Sequence, residues 1–318
     1  MSFDFNAVQS PFRMQPGLRK LAAGAKQLTP NRIGERALRE KLAVLFNHAS
    51  KALLSAPGFD AEPALHALCQ HAEAEHPKAF SIDAEGWAHA HFLGWSLRGD
   101  ALQQNTNKHA AAAAEIGACL NALAPEWRLA GLLCLAFAED FAVIDGHTAH
   151  IPWMAVCLPS HWAPETKVGR HFAQVHAPVA DNQMLVTAGA HLARLVTGAD
   201  RWERYVWTIT RHPRLNGHPD LVDNTPWPND MEASPAQIAA LSHFRTERQT
   251  FIPAPDAGLA MFTIHVDVVP LTKALNSSTQ AQQLHDAVAS MSPAVLAYRN
   301  LTPVRDRLLA WLSTQAAL

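Results

Sequence analysis

Several features that mark common classes of protein are scarce or absent in this chain of 318 residues. Its net charge is −2, 17% of its residues are charged, and the basic residues form no stripe along the sequence. This composition argues against a nucleic-acid-binding surface. The longest apolar run, residues 129–138, spans ten residues, whereas a membrane helix needs about twenty. The N-terminal segment shows neither an apolar signal region nor a small-residue cleavage site. We therefore expect a soluble, cytoplasmic protein that binds neither nucleic acid nor membrane.

Cysteine pairs and standard catalytic motifs are also missing. The four cysteines never form a CxxC pair, so they make neither a zinc knuckle nor an iron–sulfur ligand set on their own. The chain has no GxxxxGKS or GxxxxGKT loop, no GxGxxG after a strand, no GxSxG and no HExxH. These absences argue against phosphate-loop, dinucleotide-binding, serine-hydrolase and zincin functions. Nine tryptophans against two tyrosines suit the walls of a deep pocket, although a tryptophan-rich core is the simpler explanation.

Hydrophobic periodicity predicts a mixture of helices and strands. Apolar spacing of three and four residues predicts helices at 36–54, 64–75, 108–123, 127–137, 183–197, 234–246, 279–291 and 303–313. Asp145-Gly146 predicts a tight hairpin turn between two β-rich runs, and alternation predicts strands at 205–210 and 259–268. No linker separates these segments. We predict one α+β domain over residues 1–318, with a mainly helical first third and helices wrapped around an antiparallel sheet.

Several short motifs combine polar residues with proline, glycine or aromatic residues. They are PFRMxxGL at 11–18, EDF at 139–141, LPSxWxPxxKxG at 158–169, HxPV at 176–179, RYVW at 204–207 and RxERQT at 245–250. In this order and spacing they resemble the haem-dependent oxidative N-demethylase alpha-subunit-like family, to which dimethylamine-oxidising haem enzymes belong. The resemblance covers most of the chain.

The resemblance implies a fold, a cofactor and a reaction. The fold would be a PAS-like antiparallel sheet that binds haem b. The reaction would be oxidation of a small methylated amine, such as dimethylamine, with O2 activated at the haem iron and formaldehyde released. Electrons would come from a partner reductase subunit, and a folate-binding subunit would be a further partner. The absence of a dinucleotide fingerprint and of an iron–sulfur cysteine set agrees with an external electron donor.

The stretch GRHFAQVHAPVADN at residues 169–182 carries two histidines that could ligate haem iron. We predict His176 as the metal ligand, because it belongs to the HxPV motif and Pro178 restricts Ala177 to extended backbone. His171 is the second candidate, since it lies outside the motif. In a chain with 18 histidines, a surface or hydrogen-bonded structural role is the simplest alternative for either one.

Haem propionates need cationic partners, and the planar fork of arginine suits a carboxylate better than an ammonium does. We predict Lys167, Arg204, Arg245 and Arg248 as cofactor-binding residues. Arg245 and Arg248 are three residues apart, which would place them on one face of a helix. The alternative is that Glu247 pairs with one of these arginines in a structural salt bridge.

A cationic alkylamine needs an acid or an aromatic face in its pocket. We predict Glu139, Asp140 and Trp207 as catalytic residues, although a structural role is the simpler interpretation of each. The chain has Val206 where we expect the family to show asparagine. This difference keeps two other hypotheses open: a non-catalytic haem or small-ligand binding protein on the same scaffold, and a metal-free structural protein.

Overall fold

The computed structural model describes residues 3–105, 110–223, 225–229 and 233–317. Its strands are β1 (Arg19–Lys20), β2 (Leu53–Ser55), β3 (Phe80–Ile82), β4 (Ala88–Ala90), β5 (Trp95–Arg98), β6 (Ala101–Gln104), β7 (Asp140–Asp145), β8 (Trp153–Ala155), β9 (Trp202–Thr210), β10 (His243–Ala254) and β11 (Leu259–Pro270). Its helices are α1 (Arg36–Ala52), α2 (Glu62–Glu75), α3 (Ala110–Ala122), α4 (Arg128–Ala136), α5 (Phe172–His176), α6 (Gln183–Val196), α7 (Pro235–Leu241), α8 (Leu271–Ala274), α9 (Ser278–Ala289), α10 (Pro293–Tyr298) and α11 (Arg305–Ala316). Within the described ranges, each helix is too short or too polar to cross a bilayer.

Two antiparallel sheets organise these elements. The main sheet has the order β1-β9-β10-β11-β7-β8-β2, and its central hairpin β10–β11 pairs from His243 opposite Pro270 to Ala254 opposite Leu259. Gly258 closes this hairpin with a φ of +65°, a left-handed conformation that glycine adopts without steric cost. The smaller sheet has the order β3-β4-β5-β6 and packs against α3 and α4. The predicted α+β class with antiparallel sheets is therefore confirmed.

The two faces of the main sheet have different environments, because successive side chains of a strand point to opposite sides. On one face Phe141 and Met261 join side chains of α1, α2 and α4 in the largest core cluster. Towards the β9 end of the same face, Ile209 and Phe244 pack in a second cluster with α9, α10 and α11. Helices thus pack on this face at both clusters, and much of the opposite face lines a cavity.

Most elements predicted from periodicity are confirmed. Helices α1, α2, α4, α6, α9 and α11 and strands β9 and β11 lie where the pattern predicts them, with ends shifted by a few residues. The predicted helix start at 108 lies outside the described residues, and α3 is observed from Ala110. The predicted hairpin is present as the β7–β8 pair, but residues 146–152 connect it instead of a two-residue turn. The Asp145 carboxylate stabilises this longer connection by accepting the backbone N–H groups of His147 and Thr148 at 2.8 and 3.2 Å.

The predicted helix at 234–246 is wrong in its second half. Helix α7 ends at Leu241, and strand β10 begins at His243. Arg245 and Arg248 consequently lie on opposite faces of a strand and do not share a helical face, since residues an odd number apart alternate sides.

The predicted helical first third is also wrong in part. Helices α1 and α2 are present, but residues 80–104 form the smaller sheet. Gly86, Gly94 and Gly99 lie at or between its strands with positive φ, which is where glycine is needed for tight connections. Glycines at these positions are the signal for strands that the apolar periodicity did not show.

Candidate functional site

A large cavity lies on the face of the main sheet opposite to the one that carries Phe141 and Met261. Its volume is about 1330 Å³, which exceeds the roughly 300–1,000 Å³ of common small-molecule sites. Strands β7 and β9 to β11 form its floor, α5 and α6 form one wall, and the N-terminal arm, residues 6–19, forms another. Apolar side chains of the sheet and α6 include Ile144, Phe251, Phe262, Leu192 and Val196. The cavity is therefore large, mainly apolar, and polar at a few defined positions.

His176, the predicted metal ligand, ends α5 and lines this cavity. Its Nδ1 lies 2.8 Å from the carbonyl oxygen of Phe172, and because a carbonyl only accepts, Nδ1 carries the proton. Burial, together with the charges of Arg204 and Lys167, lowers the pKa of His176 to about 4, so the ring is neutral at pH 7. Its Nε2 has no hydrogen bond among the described residues. A neutral imidazole with this tautomer and a free Nε2 is the form that ligates a metal.

His171 has a different role at the other end of the same helix. It is the N-cap of α5, and its Nδ1 accepts the backbone N–H of Ala173 at 3.1 Å. The side-chain oxygen of Gln174 accepts the backbone N–H of His171 at 3.2 Å, which completes a capping box. His171 does not line the cavity. The geometry therefore favours His176 over His171 as a ligand for anything bound there.

Arg204 and Lys167 bring positive charge to the same end of the cavity as His176. The Nε atom of Arg204 is buried without a hydrogen-bond partner, and burial lowers the pKa of its guanidinium. Lys167 Nζ donates to the carbonyl oxygen of Val175 at 3.2 Å and lies 5.3 Å from the ring centroid of Trp162. Burial lowers the pKa of Lys167 too. The charge of Glu247 acts on both cations, but neither forms an ion pair with it among the described residues. Because a desolvated cation without an ion-pair partner is costly, this end is suited to an anionic ligand.

Glu247 places a negative charge in the middle of the cavity. Its side chain lines the cavity from β10, is only 8% exposed, and stands opposite Val206 in the β9–β10 ladder. One carboxylate oxygen accepts the Gln249 side-chain amide at 2.6 Å. Among the described residues no arginine or lysine forms an ion pair with Glu247, so the salt bridge considered from the sequence is not observed. Glu247 was not among the predicted site residues, although its central position in RxERQT is a signal that was available.

Glu139 and Asp140, two of the predicted catalytic residues, do not line the cavity. Glu139 is fully buried, accepts the backbone N–H of Thr29 at 2.9 Å and lies 2.9 Å from His265 Nδ1. Asp140 forms a buried ion pair with Lys41 at 3.1 Å. Burial raises the pKa of Asp140, and Lys41 opposes that rise. Asp140 lies on the same face of the sheet as Ile264, and its carboxylate also accepts the backbone N–H of Leu158 at 2.6 Å. Both carboxylates are therefore occupied by partners within the chain, and neither lines the cavity.

Arg245 and Arg248 are also absent from the cavity lining. Arg248 forms an ion pair with Glu203 at 2.9 Å and donates to the carbonyl oxygen of Lys26 at 2.7 Å. Arg245 is 1% exposed and donates to the hydroxyl of Ser160 and to four backbone carbonyl groups. Both guanidinium groups therefore donate their hydrogen bonds to acceptors within the chain.

Trp207, the third predicted catalytic residue, borders the cavity and belongs to the second core cluster. The ring of Phe12 meets it edge-on at 5.7 Å. Arg299 lies 5.2 Å from the centroid of the Trp207 ring and donates to its backbone carbonyl at 2.6 Å. Trp207 thus joins the N-terminal arm and the C-terminal helices at the edge of the cavity.

A separate group of Glu165, His218 and Asp220 has the spacing of a metal site, with ligand atoms within 4.8 Å of one another. Lys51 Nζ lies 2.7 Å from Asp220 and 3.2 Å from Glu165. An ammonium group therefore already neutralises these carboxylates. In the part of the chain that the structure describes, no other group of this kind is present.

The family comparison agrees with the motifs. Residues 35–309 match the model of the family described as Haem-dependent oxidative N-demethylase, alpha subunit-like. The matched range includes both sheets except β1, and it contains His176, Lys167, Arg204 and Glu247. It leaves out the N-terminal arm.

Proposed function

The chain belongs to the haem-dependent oxidative N-demethylase alpha-subunit-like family, and from this premise we propose that it binds haem b and oxidatively demethylates a small N-methylated amine. The observation that carries the proposal is that a free imidazole Nε2 and a half-buried arginine, whose Nε has no hydrogen-bond partner, face one large, mainly apolar cavity. The proposal takes residues 1–318 as one PAS-like, cytoplasmic domain.

The residues of the cavity fit the chemistry of haem. Haem needs apolar walls for its macrocycle, counter-charges for two propionates and an axial ligand for iron. Ile144, Phe251 and Val196 supply apolar surface, and Arg204 and Lys167 supply cationic groups at one end. His176 would be the axial ligand, with the Phe172 carbonyl fixing its tautomer. Four of the residues predicted from the sequence have no role in the proposed haem and substrate site, because they do not line the cavity: Glu139, Asp140, Arg245 and Arg248.

Bound haem would supply O2 activation. The overall reaction consumes the N-methylated amine, one O2, two electrons and two protons, and yields the demethylated amine, formaldehyde and water. We propose that the electrons come from a partner reductase subunit and that a folate-binding subunit receives formaldehyde, as the family resemblance implies.

Glu247 is our candidate for binding the ammonium group of the substrate. It is a buried carboxylate with no ion pair among the described residues, and the residues opposite it on the two adjacent strands, Val206 and Val266, are apolar. Trp207 borders the same cavity and would limit its size. Because Val206 replaces the expected asparagine directly opposite Glu247, we propose that the amine differs from dimethylamine in some feature recognised there.

An absorption spectrum of the purified protein with CO and dithionite tests the haem site. We expect a Soret band that is lost or shifted in His176→Ala and kept in the matched variant His171→Ala, which removes only the helix cap. An unchanged Soret band in His176→Ala would contradict the proposed ligand. A Soret band without amine-dependent O2 consumption, in the presence of an electron donor, would favour the non-catalytic haem protein. A colourless protein that takes up no hemin would favour the structural alternative.

A further inference from the structure

Two histidines lie at the end of the cavity away from His176 and have no part in the proposed haem site. The ends are defined by the sheet: Arg204 pairs with Gln249 and Thr208 with Arg245, four residues or roughly 13 Å apart along the strands. His161 and His212 line the cavity at the Arg245 end, with ring centroids 4.9 Å apart in a T-shaped contact.

The four ring nitrogens of this pair are unpartnered among the described residues, and both nitrogens of His212 are buried. His161 is an exposed residue whose side chain lines the cavity. Burial, with the charge of Arg245, lowers the pKa of His161 to about 3 and that of His212 to about 4. Both rings are therefore neutral at pH 7, and each has an N–H group that donates to nothing in the folded chain.

The backbone holds His161 in a conformation that is unfavourable for a residue with a side chain. Its φ is +62°, in the left-handed region. The N–H of His161 donates to the Gly217 carbonyl at 3.1 Å, and the N–H of Gly217 donates to the Pro159 carbonyl at 2.8 Å. A Cβ on Gly217 would lie 2.8 Å from that same Pro159 oxygen, so glycine is required for this close approach. Strain of this kind, enforced by neighbouring segments, is typical of ligand sites.

Arg245 forms hydrogen bonds with both of the segments that carry the histidines. Its guanidinium donates to the carbonyl groups of Leu158 and Pro159 at 3.2 and 3.0 Å. It also donates to the carbonyl groups of Arg214 and Leu215 at 3.0 and 2.6 Å. One segment leads directly into His161, and the other follows His212. Arg245 therefore positions both rings and places a buried positive charge behind them.

Ser160 adds a third donor to the same place. Its Oγ accepts Arg245 Nε at 2.6 Å, so its own hydroxyl hydrogen is available to the cavity that it lines. A metal ion does not suit this group, because only two imidazoles are present and the Arg245 charge opposes a cation. Three donors in front of a buried cation, with no carboxylate between them, are instead the arrangement that binds an anion.

We propose that Ser160, His161 and His212 form a carboxylate-binding subsite, and that the amine taken by this cavity is a zwitterion carrying both an N-methylammonium group and a carboxylate. This inference rests on the proposed function, in which Glu247 binds the ammonium group. Glu247 and Arg245 lie on the same face of β10, two residues or roughly 7 Å apart. The ammonium and carboxylate groups of a small N-methylated amino acid would therefore face opposite charges at adjacent positions.

Calorimetric titration of the purified protein with N-methylglycine and with dimethylamine tests the subsite. Both probes carry a secondary methylammonium group, and only N-methylglycine carries a carboxylate. We expect N-methylglycine to bind at least about ten-fold more tightly, as is typical for hydrogen bonds to a charged group. His161→Gly, which suits the positive φ, and His212→Phe, which keeps the ring, are each expected to abolish this preference. Neither change is expected to alter dimethylamine affinity.

The controls separate this inference from the proposed function. His191→Phe changes an exposed histidine of α6 outside the cavity lining, and it is expected to keep the preference. Glu247→Gln is expected to weaken both probes. Equal binding of the two probes, or a preference that survives both histidine changes, would refute the carboxylate subsite. The Soret band is recorded on the same samples, so a haem-containing protein without the preference would refute the subsite and leave haem binding intact.

Discussion

At the scale of single residues, Arg204 and Arg248 occupy neighbouring strands in opposite electrostatic situations. Arg248 is paired with Glu203, whereas Arg204 has a buried Nε without a partner. We predict that Arg204→Met raises the free energy of unfolding of the haem-free protein by about 1 kcal/mol, because it removes a desolvated charge. Arg248→Met is expected to lower the free energy of unfolding by about 2–3 kcal/mol, because Glu203 loses a buried partner. Urea denaturation measures both, and equal destabilisation by the two changes would contradict the role given to Arg204.

The sequence predicted the positions of some site residues correctly and those of others incorrectly. His176 could be proposed because a short motif surrounds it, and the structure places it on the cavity wall. Arg245 belongs to an equally clear motif, but its role depends on acceptors contributed by residues 158–160 and 214–215. No local pattern shows which distant carbonyl groups will surround a guanidinium. His161 occupies a variable position of its motif, so the motif itself could not single it out.

At the scale of elements, strand β10 shows why one part of the sheet was mistaken for a helix. Its cavity face carries Arg245, Glu247 and Gln249, and its other face carries Thr246 and Arg248. Alternation of apolar and polar residues identifies a strand with one buried and one solvent-exposed face. A strand that is buried and polar on both faces has no such alternation. Strand β11 does alternate between Phe262, Ile264 and polar residues, and it was predicted correctly.

The contact between residues 159–161 and Gly217 gives an element-scale prediction. Gly217→Ala would place a methyl group 2.8 Å from the Pro159 oxygen and 3.0 Å from the His161 nitrogen. Both are backbone atoms, so no side-chain rotation can relieve the close contact. We therefore predict a loss of about 1–3 kcal/mol in the free energy of unfolding. Gly198→Ala is the matched control, since its methyl group would first meet the Leu195 oxygen at 3.4 Å. Thermal denaturation of both variants measures the difference, and equal melting temperatures would contradict the close approach.

At the scale of the whole molecule, the neutral histidines of the cavity make stability depend on pH. The pKa values of His161, His176 and His212 are lowered to about 3, about 4 and about 4 by burial and by nearby cations. As pH falls below 6.5, the unfolded chain takes up protons at these positions, and the folded chain does not until about pH 4. The unfolded state binds more protons in this range, so the free energy of unfolding of the haem-free protein decreases as pH falls.

His212→Phe tests this dependence, because it removes one of the three groups and keeps the ring. We predict a shallower decrease in the free energy of unfolding between pH 6.5 and about pH 4 than in the unmodified protein. Urea denaturation at several pH values measures the slope. His191→Phe is expected to leave the slope unchanged, and the same slope in His212→Phe would show that His212 is protonated as easily in the folded chain as in the unfolded one.

The N-terminal arm has a consequence for how the protein is made. The N–H of Phe12 donates to the Ser290 hydroxyl at 2.9 Å, and Arg299 lies 4.5 Å from the Phe12 ring. The arm leaves the ribosome before Ser290 and Arg299 do, because it precedes them in the sequence. Until those two residues emerge, the arm has neither attachment, and the cavity wall that it forms is not held in place. We therefore expect a ligand of this cavity to be enclosed only after translation has passed Arg299.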